Sequence, residues 1–251
     1  MACIIVATNR PICSLSPLDV ETFLIKRMER ATIHPNDFYI LGNSSRPPAD
    51  PTERGHDRPP ILPGDFGDRA VLIWDTETAG LSNPGICQLS YILIENGTIT
   101  EYDKILKLPK QVCMSSTATS IHRITAEASA SGADAEPELI DFWDLTWRII
   151  SSGGHVVGHN VSFDCRAFSF TCAKLGLTHS MTHTDMIDTM ALSKPHTHLR
   201  NVRGYPKQYR LSELYERLFG APPDWARLHD SLEDVRVTAL CYREGQRIGW
   251  W

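Results

Sequence analysis

Apolar positions come in short unbroken runs early in the chain and in helical spacing later. Ala70-Val71-Leu72-Ile73-Trp74 is continuous and closes on Asp75-Thr76-Glu77. Two further apolar-rich stretches follow, with Asn96-Gly97 between them. This pattern predicts strands near 70–75, 86–94 and 99–107, antiparallel neighbours that use the Asn-Gly turn. Beyond them the period lengthens. Helices are expected near 137–151 and 161–176 with a strand at 155–159 between them, then a strand near 184–188 and helices near 211–220 and 230–245. Strands that alternate with helices in the second half call for an α/β mixed sheet covered by helices.

The first 66 residues read differently. Ser16-Pro17 with Asp19 and Glu21 marks a helix start, and Val20, Phe23, Leu24 and Met28 give one apolar face. Residues 43–66 hold six prolines (47, 48, 51, 59, 60, 63), a composition expected to stay extended or disordered. The predicted organisation is a leader over 1–42, a proline-rich linker over 43–66 and one domain over 67–251. A chain of 251 residues is long enough for one substantial core with appendages.

Composition narrows the class. The seven cysteines (3, 13, 87, 113, 165, 172, 241) show no Cys-x-x-Cys and no paired spacing, which points to free thiols and a reducing, intracellular compartment. No apolar stretch is long enough to span a membrane, and Cys3-Ile4-Ile5-Val6-Ala7 is too short for a signal peptide. Among ten histidines, His179 and His183 have no cysteine or acidic companion and read as surface residues. The terminal Trp250-Trp251 would either form a contact point or fold back on the domain.

Three acidic motifs carry the candidate chemistry. Asp75 and Glu77, at i and i+2 on a strand, project to one face a few ångströms apart and repel unless a cation lies between them. A hard divalent ion takes such oxygen ligands and commonly shares them with phosphate. His159-Asn160-Val161-Ser162-Phe163-Asp164 follows an apolar strand and opens a helix. His229-Asp230-Ser231-Leu232-Glu233-Asp234 opens another, with Asp230 as expected N-cap and Glu233 completing a capping box. His229 then lies on the loop and Asp234 just past the first turn, both able to face one cleft.

On these residues the chain resembles the DnaQ-like 3′→5′ exonucleases of the DEDDh type, which have a ribonuclease-H-like fold. The first motif appears as Asp75-Thr76-Glu77-Thr78-Ala79-Gly80-Leu81, the second as residues 159–164, the third as His229 to Asp234. Ser120-Ile121-His122-Arg123-Ile124-Thr125 resembles the family's Ile-His-x-Ile-Thr segment, and Ile187-Asp188-Thr189 with Leu192-Ser193 its next strand-to-helix step. The resemblance covers roughly residues 70–245 and implies a mixed five-stranded sheet flanked by helices, with a short N-terminal extension. Ala79 departs from the family's common threonine, which affects only the shape of the turn. Asp at position 230 excludes the sister type that uses tyrosine.

What the resemblance implies for the site is specific. Asp75, Glu77 and Asp234 would hold one Mg²⁺, Asp75 and Asp164 a second, with Mn²⁺ able to substitute. His229 would take the proton from the attacking water, a role suited to imidazole. Thr78, Leu81, His122 and Asn160 would meet the substrate. Leu81 aligns with a residue that wedges between bases, though a leucine after a turn equally suits a core. His122 has a capping or exposed role as its alternative, and Asn160 holds either the nucleotide or the local turn. Asp188 reads as a structural carboxylate and not a fifth ligand.

The implied activity is hydrolysis at DNA 3′ ends with release of nucleoside 5′-monophosphates. An RNA 3′-end trimming enzyme is the alternative on the same fold. A non-catalytic nucleic-acid- or polymerase-binding module is the alternative of another class, but it has no use for all four carboxylates and the histidine. The leader would either dock a polymerase or other protein partner or simply pack on the catalytic domain. The net charge of −5 suits a nuclease better than it first suggests, because several negative charges belong to the site. Between Thr189 and Ser212 no acidic residue occurs, while Lys194, Arg200, Arg203, Lys207 and Arg210 alternate with His196, His198, Tyr205 and Tyr209. Such a loop would either follow a phosphate backbone and stack bases or be a solvated loop with incidental charge.

Overall fold

The computed structural model describes residues 59–223 and 226–251. The expected leader helix and the proline-rich stretch up to residue 58 lie outside the described residues. Residues 200–205 group apart from the main unit and are described by themselves.

Five strands form one sheet in the order β3-β2-β1-β4-β5. Strands β1 (Val71–Thr78), β2 (Ile86–Glu95) and β3 (Thr98–Ile105) are antiparallel, while β4 (His155–Gly158) and β5 (Ile187–Asp188) run parallel to β1. Asn96 and Gly97 both take positive φ, 53° and 73°, as a two-residue turn matched to the strand twist requires. The predicted strand at 184–188 shrinks to two residues. Its last residue, Asp188, turns its carboxylate onto the N–H groups of Met190 and Ala191 and starts a helix instead.

Helices cover both faces. They are α1 (Ser116–His122), α2 (Ala126–Ala130), α3 (Ala135–Ser151), α4 (Val161–Leu175), α5 (Thr189–Ser193), α6 (Leu211–Phe219) and α7 (Ser231–Arg247). Strand periodicity assigns the residues of β1 to opposite faces. Leu72 and Trp74 join Leu139 and Phe142 of α3 and Val161, Cys165 and Phe168 of α4. Val71 and Ile73 join Val235, Ala239 and Tyr242 of α7. Residues Pro63–Phe66 form a 3-10 turn whose Phe66 stacks on Tyr242, and Asp65 pairs with Arg243 at 2.7 Å. The end of the proline-rich stretch therefore packs on the domain.

The terminal tryptophans fold back. Trp251 donates its indole N–H to the carbonyl of Tyr242 at 3.1 Å. Trp250 stacks on His196 with ring centres 4.3 Å apart, under the Arg217 guanidinium.

Candidate active site

The alternation that buries β1 also builds the site. Asp75 and Glu77 continue the face of Val71 and Ile73, toward α7, whereas Thr76 points toward α4. A register shift between Glu77 and Thr78 interrupts the ladder there, so the strand ends in a bulge beside the carboxylates.

Each outer carboxylate reaches this strand end from a helix start. Asp164, in the first turn of α4, is buried and accepts from the Thr76 hydroxyl at 2.7 Å and its N–H at 3.2 Å. Asp234, in the first turn of α7, accepts the N–H of His229 on Oδ2 at 3.2 Å. His229 itself has φ 65°, an uncommon conformation for a side chain of this size. Among the described residues, Glu77, His229 and Asp234 place donor atoms within 4.8 Å of one another.

Their electrostatics are those of an unneutralised cluster. Burial and the charges of Asp164, Asp234 and Glu77 push Asp75 well above the usual carboxylate range. Burial, then Asp234 and Asp164, push Glu77 up to about 8. Burial raises Asp164 and Asp234 to about 7, against the hydrogen bonds from Thr76 and from the His229 N–H. Oδ1 of Asp234 is buried and finds no hydrogen-bond partner among the described residues. Four crowded oxygen-donor side chains with an orphaned buried oxygen fit a hard divalent cation. His229 is solvent-accessible, and the protein atoms crowding its ring lower its pKa, keeping it neutral and able to accept a proton.

The remaining predicted positions separate. Leu81 is 85% exposed, so it is no core leucine. Thr78 is buried and its carbonyl accepts from Nε2 of His122 at 3.2 Å. His122 was expected at the substrate, or in a capping or exposed role. It is buried at the end of α1, with Nδ1 accepting the N–H of Ile124 at 3.0 Å, as a capping residue does. With these two bonds it braces the strand end. Asn160 takes the left-handed conformation, φ 64°, and its N–H bonds Asp188 at 2.9 Å. Its local role is thus a turn, on the wall of a groove of about 530 Å³ that Asp188 and Gln208 also line.

Two sequence expectations need correction. Asp230 is the N-cap of α7 but makes no capping bond; its carboxylate pairs with Arg227, and Glu233 pairs with Arg236 at 2.6 Å. No capping box forms. In the basic loop, Tyr209 is buried, and His196 lies against Trp250. These two rings are structural and leave Tyr205, 65% exposed, as the accessible tyrosine. Residues missed from sequence are Thr76, which holds Asp164, and Ser231, which meets Asp75. The signal for Thr76 was its place on the face opposite Asp75.

A mixed five-stranded sheet that gathers carboxylates at one strand end defines a ribonuclease-H-like phosphodiesterase architecture. A family model described as exonuclease (RNase_T) matches residues 72–242, and the chain belongs to that family. It is an enzyme, a 3′→5′ exonuclease of the DnaQ-like group, and the family generally uses divalent metal ions. Among solved structures, exonuclease X in complex with 5′ overhanging duplex DNA is similar at TM-score 0.50 and 24% identity, over 72% of this chain and 93% of that one. Exonuclease I of E. coli with a dT13 oligonucleotide is similar at TM-score 0.55 and 16% identity, over 72% and 43%. A 3′-exonuclease that recognises the histone mRNA stem-loop gives TM-score 0.55 and 16% identity, over 72% and 83%. At these identities they share the fold. No curated protein matches the sequence significantly. Among the described residues no helix is long and apolar enough to cross a membrane.

Proposed function

We propose that the protein removes nucleotides from DNA 3′ ends, releasing nucleoside 5′-monophosphates, with Asp75, Glu77, Asp164 and Asp234 holding two Mg²⁺ ions. The observation that carries this reading is the convergence of Glu77, His229 and Asp234 within 4.8 Å at the end of the strand that bears Asp75. When bound, two such ions neutralise phosphate charge and make a water nucleophilic near neutral pH.

The chain's own groups do the rest. Asp75 feels the charges of both Asp164 and Asp234 and would be the residue shared between the two ions. Thr76 fixes Asp164 through two hydrogen bonds, so that carboxylate keeps one orientation. His229, neutral and accessible, takes a proton from the attacking water on its imidazole nitrogen. Leu81, exposed beside the carboxylates in sequence, meets the terminal base; Asn160 and Thr78 border the strand's path. The basic composition of the 189–212 stretch would supply positive charge for the phosphates further along.

Digestion of end-labelled single- and double-stranded DNA and RNA, with Mg²⁺, Mn²⁺ or EDTA, tests this. Shortening from the 3′ end only, only with metal, and faster on DNA is expected. Cleavage in EDTA would falsify the metal mechanism; faster cleavage of RNA would replace the DNA assignment with the RNA-trimming one.

A further inference from the structure

Helix α7 starts without help from its own cap. The first N–H groups of a helix have no partner inside it, and Asp230 turns away to Arg227. The N–H of Ser231 instead meets Oε1 of Gln88, on β2, at 3.4 Å. Gln88 is buried, and its amide nitrogen donates to Asp103 of β3 at 2.8 Å, which orients the amide with its oxygen toward the helix. Ser90 donates to the same Asp103 oxygen at 2.7 Å. The hydroxyl of Ser231, a residue with 0% exposure, donates to the carbonyl of Asp75 at 2.8 Å. One residue of α7 is thereby tied to two strands, three positions before Asp234 and at the very residue that bears the central carboxylate. A second tie lies one turn on, where Arg236 pairs with Glu101 of β3.

We propose that Ser231, oriented by Gln88, is a positioning residue for the cation site: it sets the separation of Asp75 from Asp234. Carboxylates in this cluster repel one another, so the helix carrying Asp234 drifts from the strand carrying Asp75 unless something neutral holds them together. A buried hydroxyl and an amide do this without adding charge. The inference rests on the reading that these carboxylates hold divalent cations.

The test is Mn²⁺ binding by titration calorimetry on the full chain, with thermal midpoints in EDTA, for wild type, Ser231→Ala, Gln88→Met and Val237→Ala. Val237 is buried on α7 but packs toward α6, so its truncation loosens the helix without touching the tie. Loss of a group that orients metal ligands costs about 10-fold or more in affinity. Ser231→Ala is expected to weaken Mn²⁺ binding by about that factor and Gln88→Met by less, while Val237→Ala binds as wild type at a comparable loss of midpoint. Unchanged affinity in Ser231→Ala, or equal weakening in Val237→Ala, overturns the proposal. If Ser231→Ala does not fold, Gln88→Met decides by the same criterion. Absence of Mn²⁺ binding by wild type overturns the metal reading itself, and this inference with it.

Discussion

Two polar regions of this molecule are built on opposite principles. At the end of β1, four carboxylates crowd together, raise one another's pKa and leave Oδ1 of Asp234 without a partner among the described residues. At the root of the basic insert, neutral groups match one another. His159 bridges the Thr189 hydroxyl at 2.9 Å and the Tyr209 carbonyl at 3.2 Å, and burial holds it neutral with a pKa of about 4. The Tyr209 hydroxyl meets Nδ1 of His198 at 3.0 Å, and the Lys207 N–H closes the root on the Leu199 carbonyl at 3.0 Å. The insert tip repeats the principle on its own, with Asn201 accepting from Arg203 and Tyr205. Satisfied groups make a scaffold. A crowded, uncompensated cluster of carboxylates is what the proposed cation site needs, and that is what sets it apart from its support.

The largest expected effect breaks the centre. Asp75→Ala abolishes exonuclease activity, measured on a labelled 3′-end substrate, more completely than any other single change. Asp75→Asn does the same to activity but raises the thermal midpoint in EDTA, because it removes a charge that the metal-free fold repels. His229→Ala comes next. It lowers turnover by roughly 10²- to 10⁴-fold while DNA and Mn²⁺ binding persist, and near-normal turnover would remove His229 from the mechanism.

Protonation sharpens the same contrast. Carboxylates whose folded pKa is raised bind protons more tightly when folded, so their contribution to stability is present below about pH 4 and lost as pH rises through the folded values. Those values run from about 7 for Asp164 and Asp234 to about 8 for Glu77. Histidines shifted downward, His122 and His159 among them, act with the opposite sign, and only below about pH 6.5. In EDTA the thermal midpoint is therefore expected to fall between about pH 7 and 8, and added Mn²⁺ to flatten that slope. A midpoint that holds steady over this interval without metal contradicts the unneutralised cluster. The smallest effect belongs to the insert. Replacing Lys194, Arg200 and Arg203 by glutamine should weaken single-strand binding and reduce its log–log salt slope by about 0.7 for each phosphate no longer neutralised, with cleavage at saturating substrate unchanged. An unchanged slope removes the insert from the substrate path.

Asp75 and Glu77 were readable before any fold was known, since strand period restricts their spacing; Asp164 and Asp234 were readable through motifs that resemble the family's. Thr76, Ser231 and Gln88 were not. Their side chains act across 88, 156 and 143 residues of sequence, and a local pattern carries no record of such partners. The capping box failed for a related reason: Asp230 and Glu233 have the right spacing, but Arg227 and Arg236 compete for both carboxylates. Tyr209 and His196 looked like stacking residues because an interleaved basic and aromatic composition cannot tell a ring that faces solvent from one packed on Trp250 or buried among residues of α6 and α7.

By itself, then, the sequence determined the α/β alternation, the antiparallel hairpin at Asn96-Gly97 and the pairing of Asp75 with Glu77, all consequences of short-range period and residue chemistry, while Asp164, Asp234 and His229 were singled out through the resemblance of their motifs to the family's. Only the tertiary structure decided that Thr76 holds Asp164, that Ser231 joins the helix that carries Asp234 to the strand that carries Asp75, that His122 is a brace, and that the terminal tryptophans fold back. Those outcomes depend on which surfaces the sheet brings into contact, and packing chooses partners that distance along the chain does not reveal.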